Sequence, residues 1–314
     1  MTSILEREVE VRKSPVPRFK INQHPQLKSR FNAAAWTTSH GDTVLLAREV
    51  LDTVPTFDQP DVGNLVKLHI GTGNEHIAWR PDGQAVLLED PRALVVNDEV
   101  VLGMTAVIYE NGNPVPYPAV TRLPSRDEPT DIPPTDPIFD FGPGKNMTPV
   151  DEDTFFFRPE STNHSLSVLT RVSENGEMEQ TGVLVFPDSL EWAFWRIGTT
   201  SPPIWINEQD ALMFFHGISI IDGVYVYAIG RAIIHKDSNW TISLRKIDSK
   251  PFLQQSDFMV DGQDPIRELH SERKAMYMCG HTVDFGVVSM YPSLGDTETK
   301  EVETTLKDLI EEDW

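Results

Sequence analysis

The chain has 314 residues, with 27 Lys or Arg against 48 Asp or Glu, and its formal net charge is −21. Hydrophobic residues make up 39%, which is typical of a folded protein with a sizeable core. The acidic balance argues against nucleic acid and anionic membranes as partners, because both repel negative charge. The single cysteine, Cys279, excludes an intrachain disulfide and a zinc site built from cysteines.

No apolar run approaches the ~20 residues that a membrane helix needs. Segment 1–14 is charged throughout and lacks an apolar signal core, which predicts a cytoplasmic protein. Within it, residues 4–12 are the first predicted helix, with an apolar face formed by Ile4, Leu5 and Val9. This helix cannot bury that face by itself. We therefore expect it to pack on the rest of the chain or on another subunit of a homo-oligomer.

Beyond this helix the sequence predicts mainly β-strands. Six short segments are rich in β-branched and aromatic residues and are separated by Gly, Asn or Asp. They span 43–50, 93–109, 153–161, 165–172, 211–221 and 224–234. Prolines cluster in 113–144, which predicts a long extended connection rather than a folded element. A second helix is predicted at 301–311.

The strands form a weak internal repeat of five units. The units begin near Asn32, Asp90, Lys145, Pro203 and Asp264, 55 to 61 residues apart. Their second strands reach Arg48, Met104, Arg158, His216 and Gly280. Repeats of several strands each are typical of propeller blades. The sequence therefore predicts an all-β fold, a five-bladed β-propeller forming a single domain over 1–314, with short helical terminal extensions at 1–19 and 295–314. A pair of β-sandwich sheets is the alternative.

Polar residues recur at one phase of this repeat, at strand ends that a radial arrangement of hairpins would bring together. Cations outnumber carboxylates among them, although the protein as a whole is acidic. The set comprises Asn32, Arg48, Asp90, Arg92, Lys145, Arg158 and His216. A group of Lys, Arg and His in a cleft suits an anion such as phosphate or sulfate. Taken singly, each residue also has a structural explanation as a surface ion pair, a core histidine or a turn-forming aspartate.

Residues 88–92, Leu-Glu-Asp-Pro-Arg, resemble the Glu-Asp-Pro-Arg signature of glycoside hydrolase family 130, the β-mannoside phosphorylases and related β-mannosidases. Further segments resemble the same family in the same order. They are 31–35 with 45–48, 144–147 with 157–159, 201–204 with 215–217, and 228–234 with 243–245. The resemblance extends over about residues 20–291. The family's fold is a five-bladed propeller, which agrees with the repeat.

The resemblance implies an enzyme that cleaves β-mannosides with inorganic phosphate as co-substrate and releases α-mannose 1-phosphate with inversion. It implies no further cofactor and no metal. Asp90 matches the family's catalytic acid. Lys145, Arg158 and His216 match positions that bind phosphate. Asn32, Arg48 and Arg92 match positions around the sugar, and Asp284, which ends a segment similar to the family's Tyr-Tyr-Gly-x-x-Asp pattern, is a further predicted substrate-binding residue.

Two other functions remain open. A β-mannosidase of the same fold would use water and needs a second carboxylate as base. Candidates for that base are Asp151, Asp153, Glu160 and Asp284. A non-catalytic carbohydrate-binding propeller is the second alternative, which the presence of Asp90 disfavours. A metal site at His270, His281 and Asp284 is disfavoured, because their spacing fits no standard site.

Overall fold

The computed structural model describes residues 19–22, 27, 30–50, 63–70, 72–80, 87–127, 131–133, 135, 137–140, 142–160, 166–173, 175–238, 241–258, 273–295 and 298–311. These residues form five β-sheets and one short α-helix. No helix among them has the length and apolar character needed to cross a membrane.

The first three blades follow one another along the chain, after a short strand β1 (Lys20–Asn22). Blade 1 contains β2 (Arg30–Thr37), β3 (Thr43–Val50), β4 (Gly63–His69) and β5 (Glu75–Trp79). Blade 2 contains β6 (Leu87–Val96), β7 (Glu99–Glu110) and β8 (Asn113–Leu123). Blade 3 contains β9 (Gly144–Pro149), β10 (Thr154–Pro159), β11 (Leu166–Val172) and β12 (Met178–Val185). In each blade, consecutive strands pair antiparallel.

Blades 4 and 5 are more elaborate. Blade 4 contains β13 (Arg196–Thr199), β14 (Ile204–Trp205), β15 (Asp210–Ile221), β16 (Val224–Lys236), β17 (Ile242–Ile247), β18 (Leu253–Gln254) and β19 (Arg273–Lys274). Blade 5 contains β20 (Met276–Asp284), β21 (Val287–Leu294), β22 (Glu298–Thr299) and β23 (Glu301–Thr305), which helix α1 (Leu306–Glu311) follows.

The five blades close into a ring, which confirms the predicted five-bladed β-propeller. The innermost strands are β2, β6, β9, β13 and β20, and β2 packs against both β6 and β20. Strand β1 completes blade 5 as its outermost strand by pairing with β23. Lys20 Nζ lies 2.9 Å from Glu303 Oε2 in this pair. The start and the end of the described chain are thus joined in one sheet.

The hydrophobic core is divided among the interfaces between neighbouring blades. Trp36 of blade 1 packs in one cluster with Leu102 of blade 2, and Val101 packs in another with Phe155 of blade 3. Similar clusters join blades 3 and 4, blades 4 and 5, and blades 5 and 1. Each blade is therefore buried on both faces, which explains why its strands are more uniformly apolar than an alternating pattern requires.

A β-bulge interrupts four of the inner strands at the same level. In β2, Asn32 and Ala33 oppose the single residue Ala47, because the register passes from Phe31–Arg48 to Ala34–Leu46. The same two-to-one arrangement occurs at 90–91 in β6, 146–147 in β9 and 279–280 in β20. In blade 4 the longer segment 200–203 separates β13 from β14. A bulge re-aims side chains, and here it does so around the axis of the ring.

The bulges correct part of the predicted repeat. The bulge of blade 3 begins at Asn146, one residue after the predicted Lys145. Blade 4 begins at Arg196, upstream of the predicted Pro203. Gly280, predicted on a second strand, lies in the inner strand β20. The predicted start at Asp264 and the helix at 4–12 lie outside the described residues.

The proline-rich region is partly a strand, contrary to the predicted connection. Strand β8 pairs with β7 along its whole length and is the outer edge of blade 2. Its prolines occupy every second position, at Pro114, Pro116 and Pro118. Residues two apart direct their backbone groups to the same side of a strand, so missing N–H groups are tolerated on the free edge. Alternate spacing of the prolines explains why this segment pairs.

The predicted C-terminal helix is also shorter than expected. Residues 301–305 are strand β23, and only Leu306–Glu311 are helical. Val302, Thr304 and Thr305 are β-branched and pair with β21. The helix begins only beyond the last pairing partner.

Gly280 provides a test of the closure between blades 5 and 1. A Cβ at this position would lie 2.6 Å from the backbone oxygen of Ala33 and would also meet the backbone N of Ala35. We expect Gly280→Ala to lower the free energy of unfolding by about 2 kcal/mol or more, since backbone cannot move aside as a side chain can. Urea denaturation measures this. Gly182→Ala is the control, because its Cβ would make only ordinary contacts at 3.7 Å. Equal effects of the two substitutions would contradict the explanation.

Candidate active site

Asp90 lies at the bulge of blade 2, with its backbone in the left-handed region at φ 49°. Its Oδ1 accepts hydrogen bonds from Asn32 Nδ2 at 2.8 Å and from Arg48 Nη1 at 3.0 Å. Arg48 Nη2 also donates to Glu89 Oε1 at 3.1 Å, and Lys145 Nζ lies 3.6 Å from Glu89 Oε2. Two adjacent carboxylates are thus held by cations from blades 1 and 3. Asp90 is therefore held by two side chains of blade 1, and Lys145 of blade 3 approaches the adjacent Glu89.

The surroundings of Asp90 keep its carboxyl group ionised. Burial raises its pKa, but the positive charges of Arg48, Arg92 and Lys145 and the hydrogen bond from Asn32 together outweigh burial. The net result is a pKa below the ordinary value for aspartate. Asp90 is therefore a carboxylate at neutral pH.

Arg92 is wholly buried, with 0% of its surface exposed, and links four blades. Its Nη1 donates to the backbone oxygen of Asp90 at 2.8 Å, and its Nε donates to the backbone oxygen of Thr200. Its Nη2 donates to Asn146 Oδ1 at 3.1 Å and to the Tyr277 hydroxyl at 2.6 Å. The Tyr277 hydroxyl in turn donates to Asn146 Oδ1 at 2.6 Å. These described contacts make Arg92 a positioning residue at the centre of the ring.

A second group of cations lies between blades 3 and 4. Arg158 Nη2 is 3.5 Å from Glu160 Oε1, and Arg196 Nη1 is 3.2 Å from Glu160 Oε2. His216 is buried beside them, and its ring contacts that of Tyr277 with the centroids 4.6 Å apart and the planes tilted by 51°. Burial, and then the charges of Arg158, Arg92 and Arg196, hold the pKa of His216 well below its usual range. His216 is therefore neutral at neutral pH.

Lys145 connects the two groups. It lies directly opposite Arg158 in the pairing of β9 with β10, while its ammonium approaches Glu89 beside Asp90. Tyr277 also lies between the two groups, because the charges of Arg92, Asp90 and Arg158 all affect its pKa. The carboxylate of Asp90 and the cations around Glu160 therefore belong to one continuous polar site.

Several buried polar atoms in this site have no hydrogen-bond partner among the described residues. They are Asn32 Oδ1, Asn146 Nδ2, Thr200 Oγ1 and His216 Nδ1. Buried polar atoms in proteins are nearly always paired, so each exception needs an explanation. These four atoms lie near Asp90, Arg92 and His216, where a polar ligand could pair with them.

The structure brings together seven of the eight predicted site residues. They are Asn32, Arg48, Asp90, Arg92, Lys145, Arg158 and His216. Asp284 is elsewhere: it ends β20 at the exposed β20–β21 turn. It lies seven residues beyond Tyr277, or roughly 20 Å along an extended strand.

The candidate bases for hydrolysis are similarly separated. Asp151 Oδ1 accepts from the backbone N of Thr154 within a turn, and Asp153 pairs with Arg171 at 3.3 Å. Only Glu160, of the four candidates, contacts the cation group. No group of three or more potential metal ligands occurs within the described ranges. His281 instead has its Nδ1 2.9 Å from Ser201 Oγ.

Sequence reasoning missed Asn146, Tyr277 and Arg196. Asn146 had a signal, because Asn32, Asp90 and Asn146 all occupy left-handed bulge positions, at φ 49°, 49° and 64°. Asn and Asp tolerate this conformation better than other residues with side chains. Tyr277 and Arg196 had no comparable signal, because only the packing of blades 3, 4 and 5 brings them to the site.

Comparison with solved structures finds the same fold in carbohydrate-active enzymes. A β-1,2-mannobiose phosphorylase from Listeria innocua, in complex with β-1,2-mannobiose, matches 94% of this chain and 93% of its own at 13% identity and a TM-score of 0.60. A mannose phosphorylase from Leishmania mexicana, in complex with phosphate, matches 93% and 90% at 13% identity and a TM-score of 0.54. A structure from the glycoside hydrolases of family 130 that target β-1,2-mannosidic linkages in Candida mannan matches 89% and 85% at 14% identity and a TM-score of 0.63.

No protein-family model matches the chain, and no curated protein matches its sequence. The expected resemblance to glycoside hydrolase family 130 is confirmed in the fold, over about nine tenths of the chain. At identities this low the likeness shows the architecture alone.

Arg92→Lys tests the central network. A lysine ammonium is a point charge and cannot reach acceptors that the planar guanidinium contacts in different directions. We expect the free energy of unfolding to fall by about 3 kcal/mol, as when a buried charge loses partners. Urea denaturation measures this. Arg122→Lys, at a partly exposed position, should change it by less than about 0.5 kcal/mol. Equal losses of unfolding free energy would show that the hydrogen bonds of Arg92 stabilise the fold no more than those of a partly exposed arginine.

The pH dependence of stability tests the state of Asp90. Its pKa is lower in the folded protein than in the unfolded chain, so ionised Asp90 stabilises the fold above the unfolded value. This contribution is lost as pH falls through the folded value. The difference in unfolding free energy between wild type and Asp90→Asn should be constant from about pH 6 to 8. Below about pH 4, wild type should lose stability relative to Asp90→Asn. A shift in favour of wild type on acidification would mean that the pKa is raised instead.

Proposed function

We propose that this protein is a β-mannoside phosphorylase that transfers a mannosyl group to inorganic phosphate and releases α-mannose 1-phosphate. One observation carries the proposal: Asp90, whose side chain is 13% exposed, shares a continuous site with the cations Lys145, Arg158 and Arg196. A group of cations at one site favours an anionic co-substrate. The solved enzymes with this fold, which include phosphorylases bound to β-1,2-mannobiose and to phosphate, support the same substrate class.

In the proposed reaction a phosphate oxygen attacks the anomeric carbon of the mannosyl group, on the face opposite to the leaving sugar. The glycosidic bond breaks, and the leaving oxygen takes the proton of Asp90, through a sugar hydroxyl as the family resemblance implies. One carboxylic acid suffices, because phosphate is already a nucleophile. Arg158 and Arg196 orient the phosphate and offset its charge. Neutral His216 can donate a hydrogen bond to the phosphate or accept one from it.

Asp90 must carry a proton to act as an acid, although its pKa is lowered in the ligand-free protein. Bound phosphate brings negative charge to the cations that lower this pKa, and bound sugar excludes water. Both changes raise the pKa of a carboxyl group. Protonation of Asp90 is therefore coupled to the presence of both substrates.

A β-mannosidase is the second candidate, and the position of Glu160 favours it. Glu160 is a carboxylate beside the cation group and could activate water in an inverting hydrolysis. Incubation of the protein with short β-mannosides, with and without phosphate, separates the two reactions. A phosphorylase forms mannose 1-phosphate only with phosphate, whereas a hydrolase releases mannose in both conditions. A non-catalytic binding protein does neither.

Asp90→Asn should retain folding and β-mannoside binding while its turnover falls by 10²–10⁴-fold in both directions, as expected when a general acid is removed. Phosphorolysis and its reverse measure turnover, and titration calorimetry measures binding. Asp98→Asn, at an exposed turn of the same blade, is the control and should leave turnover unchanged. Turnover of Asp90→Asn within about threefold of wild type would refute the assignment.

Arg158→Ala should weaken the use of phosphate more than the binding of mannoside. A charge-assisted contact contributes typically ~1.5–3 kcal/mol, so the KM for phosphate should rise by roughly tenfold or more. Arg171→Ala, on the neighbouring strand and half-exposed, should leave this KM unchanged. Equal losses for phosphate and mannoside would show that Arg158 supports the structure rather than the anion.

A further inference from the structure

Glu160 lies immediately after β10 and places its carboxylate between two guanidinium groups. One oxygen is 3.5 Å from Arg158 Nη2 and the other is 3.2 Å from Arg196 Nη1. Its side chain is 31% exposed, whereas that of Arg158 is 7% exposed. Glu160 is thus an anion on the open side of a pair of cations, one of which is buried.

A carboxylate in this position resembles a bound oxyanion. It presents two oxygens to two arginines, which is how phosphate oxygens are commonly held. Two guanidinium groups side by side repel each other, and burial together with the charge of Arg196 lowers the pKa of Arg158. Glu160 offsets this repulsion by pairing with both arginines. An incoming anion meets cations that are already paired.

The backbone of Glu160 is fixed, because its N–H donates to the backbone oxygen of Pro143 at 2.9 Å. Only rotation of the side chain is needed to release both arginines. Glu89, the other carboxylate near the cations, is less free to move its side chain. It is held by Arg48 and Lys145, and its side chain is only 7% exposed.

We propose that Glu160 occupies the anion site of the ligand-free protein and is displaced by phosphate, so that it sets the affinity for this co-substrate. The inference rests on the proposed function, since it assumes that Arg158 and Arg196 bind phosphate. Glu160 is then a specificity-determining residue. It disfavours weakly charged anions and leaves the site to a phosphate dianion, whose greater charge outcompetes a single carboxylate.

Glu160→Gln tests the proposal, because it keeps the shape of the side chain and removes its charge. Binding of inorganic phosphate, measured by titration calorimetry, should tighten by about five- to tenfold. Asp153→Asn is the matched control. It removes one carboxylate at the other end of β10 that also pairs with an arginine, Arg171, and it should leave phosphate binding unchanged. Glu160→Ala should tighten binding like Glu160→Gln, which separates loss of charge from any effect of the new amide.

Tighter binding in both Glu160 variants, with the control unchanged, supports the proposal. Binding by wild type that neither Glu160 variant tightens overturns it, while the anion site itself stands. Equal tightening in Asp153→Asn also overturns it, since the effect would then come from the overall charge of the protein. If neither wild type nor Glu160→Gln binds phosphate, the anion site and the phosphorylase proposal are both wrong. If Glu160→Gln abolishes mannose release without phosphate and leaves phosphate binding unchanged, Glu160 is the base of a hydrolase instead.

Discussion

The site depends most on one buried cation, the guanidinium of Arg92. It contributes hydrogen bonds to acceptors in blades 2, 3, 4 and 5, and water cannot reach it. A buried charge is tolerated only where hydrogen bonds replace its hydration. The blades that supply Asn146, Thr200 and Tyr277 must therefore keep their relative positions. The same blade positions that pair Arg92 therefore also determine the geometry of the site.

The recurring bulge directs side chains of the inner strands into the site. Inner strands of a propeller converge, and their ordinary side chains would point toward neighbouring blades. Each bulge turns one residue toward the axis, and in three successive blades that residue is Asn or Asp with a positive φ. Close approach of the blades behind it requires small residues. At Gly103, for example, a Cβ would meet the backbone oxygen of Met147 in the next blade.

Charge is arranged locally against the overall trend. The protein has a formal net charge of −21, yet Arg48, Lys145, Arg158 and Arg196 surround the ring centre. Each of these cations lies near a carboxylate of the site. Asp90 is largely buried and held ionised, while Glu160 is more exposed. In the proposed reaction the less exposed carboxylate acts at the sugar, and the more exposed one exchanges with the anion.

The sequence by itself predicted the fold class correctly, and it named seven residues that the structure brings together. Strand composition, turn residues and a 55 to 61 residue period predicted five blades, because each blade repeats the same local pattern, and the family resemblance favoured this fold over a β-sandwich. Asn32, Asp90 and Arg92 were accessible to the same reasoning, since they occupy one phase of that pattern. Only the tertiary structure decided that Asn146 rather than Lys145 occupies the bulge, that Arg196 and Tyr277 join the site, and that Asp284 does not. These outcomes depend on contacts between blades distant in sequence, and a local pattern carries no information about such contacts.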